Sequence, residues 1–139
     1  MVISKMVNLG IVVSEFNYDI TSMMLARAEE HAKLLGAKVA EVVTVPGAYD
    51  MPIIVKKLLA KKGVDGVVCI GAIIKGDTDH DQVIANQLTR KLMDLSLEYG
   101  KPVGLGVSGP GQTRAQAVDR IDDYAKRGIE AVVKLSKKI

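Results

Sequence analysis

Short apolar runs alternate along the chain with longer stretches in which apolar residues recur at helical spacing. Val7–Val13 is rich in β-branched residues, is closed by the polar Ser14-Glu15, and reads as a buried strand. From Ile20 to Leu35 the spacing turns helical through Met23, Met24, Ala28 and Leu35, with Gly36 suited to the position just past a helix end. Val39–Val45 reads as the second strand, stopped by Pro46-Gly47. A second helix follows from Tyr49 to Lys62, closed by Gly63. Its Pro52 falls in the first turn, where a missing N–H costs little. Val64–Ile70 is the third strand, Asp79 to Tyr99 a long helix ending at Gly100, and Pro102–Val107 the fourth strand. The last helix, Thr113 to Lys138, opens on Thr113-Arg-Ala-Gln116, a capping-box pattern.

Four strands alternating with four helices predict parallel strands joined by right-handed crossovers. The expected class is α/β, a three-layer α/β/α arrangement with a four-stranded parallel sheet. The strands are apolar throughout, as a sheet covered on both faces requires. No repeat, linker or low-complexity segment interrupts the pattern, so residues 1–139 read as one domain.

Composition narrows the functional classes. A net charge of +3 allows an anionic small molecule as partner without demanding nucleic acid. With four Tyr, one Phe and no Trp, a base-stacking platform is not expected. The lone Cys69 has no internal disulfide partner, which suits a reducing cytoplasm. No apolar run approaches the ~20 residues of a membrane span, and the N-terminus lacks a secretory apolar region. The basic tail Lys134–Lys138 reads as a solvated helix end, where cations are favoured.

In open α/β sheets, ligands bind beyond the carboxyl ends of the strands. Four segments meet that description: Ser14–Asp19, Pro46–Asp50, Gly71–His80 and Ser108–Gln112. The third is the richest. Its glycine-containing turn opens a helix, and helix N-termini attract anions. Thr78 offers a hydroxyl there, Lys75 lies alongside, and His80 falls in the first helical turn, where a side chain of near-neutral pKa can carry protons both ways. Read blandly, Thr78 is an N-cap and His80 a surface histidine. In the second segment, Gly47 permits close backbone approach and leaves N–H and C=O groups to read a heterocycle's edge. Asp50 either accepts from ligand hydroxyls or simply occupies the favourable first turn of a helix. Phe16 either stacks on a planar ring or plugs the core, and on its own the core reading is favoured.

Several chemistries are excluded. Gly104-Leu-Gly106-Val-Ser-Gly109 spells GxGxxG, but inside the last strand, with no later strand to supply an acidic ribose ligand. Cys69 lies mid-strand and reads as buried and inert. There is no phosphate-binding GxxxxGK motif, no zinc-ligand spacing and no Ser/His/Asp set. A phosphorelay receiver would need an acidic cluster after the first strand and an Asp closing the third, where Ser14-Glu15 and Gly71-Ala72 stand instead.

Three motifs together resemble the lumazine synthase family. Val45–Pro52 is similar to its V-P-G-(A/S)-(F/Y)-(E/D)-(I/L/M)-P, and Gly71–His80 to its G-x-(V/I)-I-(R/K)-G-x-T-x-H. Phe16-Asn17 occupies its aromatic-Asn position after the first strand. The resemblance implies a flavodoxin-like arrangement and a condensation of 5-amino-6-(D-ribitylamino)uracil with 3,4-dihydroxy-2-butanone 4-phosphate, with neither cofactor nor metal. It implies that Phe16 stacks on the pyrimidine and that Asn17, Gly47, Ala48 and Asp50 contact the ribitylaminopyrimidine. Ala72 and Ile74 would line the ring pocket. Gly76, Asp77 and Thr78 would cradle the phosphate, and His80 would carry protons. Arg120 matches a phosphate-clamping arginine contributed by a neighbouring subunit, and Arg127 falls at a second basic position of the last helix.

The chain departs from the pattern in places. Leu105 stands where an aromatic often closes the pyrimidine sandwich. Asp77 puts a carboxylate at a phosphate loop, unfavourable unless it points away. Gly109-Pro-Gly111 replaces a more polar stretch, and a Gly-Thr-Lys-rich segment of capsid-forming members is absent after Arg120. The implied assembly is a homo-oligomer with sites between subunits, a pentamer or multiple of pentamers. The third helix either fits this or is deeply buried in the monomer: Val83, Ile84, Leu88, Leu92, Met93, Leu95 and Leu97 exceed one ~100° stripe. Two alternatives remain open: an archaeal-type riboflavin synthase, which needs no phosphate loop, and a non-catalytic flavin-binding module.

Overall fold

The computed structural model describes residues 6–139. The chain forms β1 (Asn8–Ser14), α1 (Tyr18–Leu34), β2 (Lys38–Val45), α2 (Met51–Leu59), β3 (Gly66–Ile74), α3 (His80–Tyr99), β4 (Val103–Gln112), α4 (Arg114–Asp119) and α5 (Ile121–Ser136). A 3-10 turn, Ala48–Asp50, leads into α2. All strand pairs are parallel and the sheet order is β2-β1-β3-β4.

Period-two alternation in the central strands feeds two cores. Leu9, Ile11 and Val13 of β1 face α1 and α5, meeting Met24, Ala28, Ala125 and Ile129. Val12 of β1 and Val67 and Cys69 of β3 face α2 and α3, meeting Val55, Leu58, Leu88 and Leu92. Helices therefore cover both faces, giving the expected α/β/α sandwich in a flavodoxin-like arrangement. Among the described residues no helix is long and apolar enough to cross a membrane.

The structure corrects three details of the pattern. Coverage on both faces holds for β1 and β3 but not for β2, which is an edge strand. Along β2, Lys38, Ala40, Val42 and Thr44 are exposed, while Val39, Glu41 and Val43 are half-buried. Second, β3 and β4 run on to Ile74 and Gln112, so parts of the segments read as loops are strand. Third, the last helix is two helices that meet at Arg120 (φ −97°, ψ 0°). Its start is as expected: the Thr113 hydroxyl accepts from the Gln116 N–H at 3.2 Å, and the Gln116 side-chain Oε1 accepts from the Thr113 N–H at 2.9 Å.

The glycines of the GxGxxG string have a packing role. A Cβ added at Gly104 would lie 2.3 Å from the Gly128 carbonyl oxygen, and one added at Gly128 would lie 3.0 Å from the Gly106 nitrogen. Backbone of α5 thus rests directly on backbone of β4, and three missing side chains make that approach possible.

Candidate active site

The strand order reverses direction at β1: the chain leaves it toward β2 on one side, while β3 and β4 lie on the other. The crevice beyond the carboxyl ends of β1 and β3 is the topological switch point. A cavity of about 400 Å³ lies there. Its lining includes Phe16, Gly47, Ala48, Ala72, Ile74, Gly76 and His80, seven of the residues singled out from the sequence. Tyr49 and Ile73, at the (F/Y) and (V/I) positions of the motifs, also line it, and Ser14, Asp81 and Ile84, which lie outside the motifs, complete it.

Each loop is held by identifiable bonds. After β1, the Glu15 and Phe16 N–H groups donate to the Val45 and Pro46 carbonyls at 2.8 and 3.0 Å, fastening this loop to the end of β2. Phe16 itself is 73% exposed, so it plugs no core and leaves its ring free at the cavity edge. Asn17 takes a left-handed conformation (φ 62°), and its amide donates to the Ala72 carbonyl at 3.2 Å. That bond ties the first loop to the end of β3. Asp50 accepts from the Gly47 N–H at 3.0 Å. The Gly47 N–H expected to read a heterocycle is therefore engaged within the turn.

The loop from Lys75 to Asp79 is exposed and runs into α3, whose first residue is His80. The Thr78 hydroxyl accepts from the His80 N–H at 3.3 Å, so Thr78 organises the helix start. Gly76 lines the cavity; Asp77 is exposed and does not. Asp81 in the same first turn is 5% exposed, and its carboxylate accepts from the Gly111 N–H at 2.9 Å. A helix of this length brings the positive end of its dipole to the cavity edge, an electrostatic setting suited to an anion.

Asn17, Asp50, Asp77 and Thr78 adjoin or lie close to lining residues in the chain without lining the cavity themselves, and Arg120, Arg127 and Leu105 also fall outside it. Arg120 donates from Nη1 to the side-chain oxygen of Gln112 at 3.0 Å. Arg127 is exposed, pairs with Asp123 at 2.5 Å and lies 5.1 Å above the Tyr124 ring. Leu105 lines a separate groove between β4 and α3 with Ala85, Thr89 and Pro110. Phe16 and Tyr49 of the lining are both more than 70% exposed, so the cavity mouth carries uncovered apolar surface.

Cys69 is fully buried, and burial pushes its thiol up from 9.0 to about 12. It is no nucleophile at neutral pH. Among the described residues, no three His, Cys, Asp or Glu side chains gather as a metal ion would need.

Comparison with known proteins points the same way as the motifs. A family model described as 6,7-dimethyl-8-ribityllumazine synthase matches residues 6–139. The chain is 61% identical to the 6,7-dimethyl-8-ribityllumazine synthase of Sulfolobus acidocaldarius, over 96% of this chain and 84% of that protein. It is 59% identical to that of Archaeoglobus fulgidus, over 96% of this chain and 92% of the relative. The one from Pyrobaculum arsenaticum is 55% identical, over 96% and 89% respectively. With the sheet order, the switch-point cavity and the motif residues in accord, the chain belongs to the 6,7-dimethyl-8-ribityllumazine synthase family, transferases of riboflavin biosynthesis.

Proposed function

We propose that this cavity condenses 5-amino-6-(D-ribitylamino)uracil with 3,4-dihydroxy-2-butanone 4-phosphate to give 6,7-dimethyl-8-ribityllumazine. The observation that carries the reading is the shared lining of one cavity by Phe16, Ala48, Ala72, Gly76 and His80. Phe16 stacks on the pyrimidine, whose edge meets backbone groups of Ala48, Ala72 and Ile74. Asn17 and Asp50 meet the ribitylamino chain with whatever acceptor capacity their internal bonds leave. Gly76 and Thr78, at the positive end of α3, receive the phosphate, and Asp77 turns its carboxylate to solvent.

The chemistry asks little else of the protein. The 5-amino group attacks the ketone and water leaves to form an imine. Phosphate is eliminated, the enol tautomerises, and the ribitylamino nitrogen closes the ring with loss of a second water. His80 moves protons through these steps, while the pocket holds the reactants in register. The two substrates together yielding lumazine absorbance with pure protein is the direct test.

Arg120 and Leu105 complete the reading. Neither reaches the cavity of its own chain, so a second copy supplies them. The assembly we propose is a cyclic homopentamer or a multiple of it, with heterologous contacts that close a ring, working in the cytoplasm. Mixing His80→Ala subunits with Arg120→Ala subunits, each first shown to be severely impaired, should restore activity, because some interfaces then pair an intact His80 with an intact Arg120. Verified mixed assemblies without recovery, or a fully active monomer by light scattering, would show that each chain completes its own site.

A further inference from the structure

The carboxyl end of β4 holds a polar cluster that the reaction as described does not use. Gln112 is fully buried, as is Ser108. The Gln112 side-chain nitrogen donates to the Ile73 carbonyl at 3.3 Å and to the Ser108 hydroxyl at 2.8 Å. Its side-chain oxygen accepts from Arg120 Nη1 at 3.0 Å. The orientation of the amide is forced, because Arg120 can only donate and the Ile73 carbonyl can only accept. The strand end is fixed as well: the Gln112 carbonyl accepts from the Lys75 N–H at 2.8 Å, and Asp81 holds the Gly111 N–H at 2.9 Å.

We infer that Gln112 is the positioning residue for Arg120, aiming its guanidinium at the phosphate of the substrate bound in the adjacent subunit. The inference rests on the reading of Arg120 as the phosphate clamp. An arginine at a helix joint has many rotamers, and holding it in one of them before substrate arrives lowers the ordering needed on binding. The grip uses Nη1, so the Nε–Nη2 edge keeps the fork geometry that matches two phosphate oxygens. The gripping group is neutral. A carboxylate there would hold the guanidinium more firmly but would compete with phosphate for its charge. Arg127, paired with Asp123, shows that other arrangement on the same helical arm.

The test uses the assembled enzyme and reads KM for the sugar phosphate, KM for the pyrimidine, and inhibition by inorganic phosphate. Gln112→Met keeps the volume and removes the acceptor. It should raise KM for the sugar phosphate and the inhibition constant of phosphate about tenfold, the weight of one hydrogen bond to a charged group, with the pyrimidine KM unchanged. Arg120→Ala should raise both phosphate-linked constants further. The double variant should be no worse than Arg120→Ala alone, because Gln112 acts only through Arg120. Ser108→Ala loosens the same buried cluster without touching the acceptor, and should stay within about twofold of wild type on these constants. Should the Met variant not assemble, Gln112→Glu replaces it, with a raised sugar-phosphate KM expected from charge competition. If Arg120→Ala leaves the phosphate constants unchanged, the clamp reading itself fails. If Arg120→Ala raises them while Gln112 variants do not, or the effects multiply in the double variant, or Ser108→Ala matches Gln112→Met, the positioning role is overturned.

Discussion

The neighbouring strands β3 and β4 end side by side, and their ends are built in opposite ways. Beyond Ile74 the chain stays exposed through Lys75–Asp79 and delivers His80, with Phe16 uncovered across the cavity. Beyond Ser108 the polar groups are drawn inward: Gln112 is buried in three side-chain bonds, Gly111 is held by Asp81, and Arg120 is held by Gln112. The first end presents groups to a ligand. The second fixes backbone and side chains in place. Substitutions at the first should therefore change catalysis or binding and leave stability alone, whereas those behind the second should change stability first.

The largest effect belongs to His80. As the proton carrier, its replacement by Ala should lower turnover by ~10²–10⁴-fold. The side chain is exposed, so urea unfolding should move by no more than about 0.5 kcal/mol. Unchanged turnover across neutral pH would return His80 to the role of a surface histidine.

The wall behind β4 supplies the contrasting case. Gly104→Ala places a Cβ 2.3 Å from the Gly128 carbonyl oxygen and 2.9 Å from a Val132 methyl. Backbone cannot swing away as a side-chain tip can, so α5 must lift from the sheet. The expected loss is about 3 kcal/mol, the upper part of the range for overpacking, read by urea unfolding of the assembled protein. A variant as stable as wild type would mean that α5 shifts at little cost and that the glycine contact does not set its distance.

These two positions also show what the sequence could reveal. Strands and helices were legible because β1 and β3 are buried on both faces and so read as unbroken apolar runs, while the helices bury one face and leave a helical period in the residues. The helix break at Arg120 was not, since an arginine in a polar stretch looks the same mid-helix as at a joint. Nor was β2 as an edge strand, because Val39–Val45 carries as many β-branched residues as a central strand does. At the site, motif residues from three loops meet in the cavity, while Asp81 stayed hidden. A lone Asp in a helix beginning has an ordinary explanation in the dipole, and only the fold reveals that it holds Gly111. Gly104 and Gly106 misled in the other direction: their spacing imitates a nucleotide loop, and three-dimensional proximity to Gly128 was needed to explain them.

Phe16 gives the smallest and most discriminating of these effects. Removing an aromatic from a core commonly costs several kcal/mol of stability, with values of 3–5 kcal/mol typical. This one is 73% exposed, so Phe16→Ala leaves little packing to lose in the chain itself. Its ring sits at the mouth of a cavity that Tyr49 and His80 also line, with Ala48, Ala72 and Ile74 as small or aliphatic walls. Stacking on the pyrimidine is the role proposed for Phe16, an interaction of about 1–3 kcal/mol by alanine substitution in nucleobase systems. Calorimetry with the ribitylaminopyrimidine should show affinity lowered by that amount, with the unfolding midpoint of the assembled protein unmoved. Loss of stability with affinity intact would make Phe16 a packing residue of the subunit interface, and the pyrimidine would have to lie deeper, against β3.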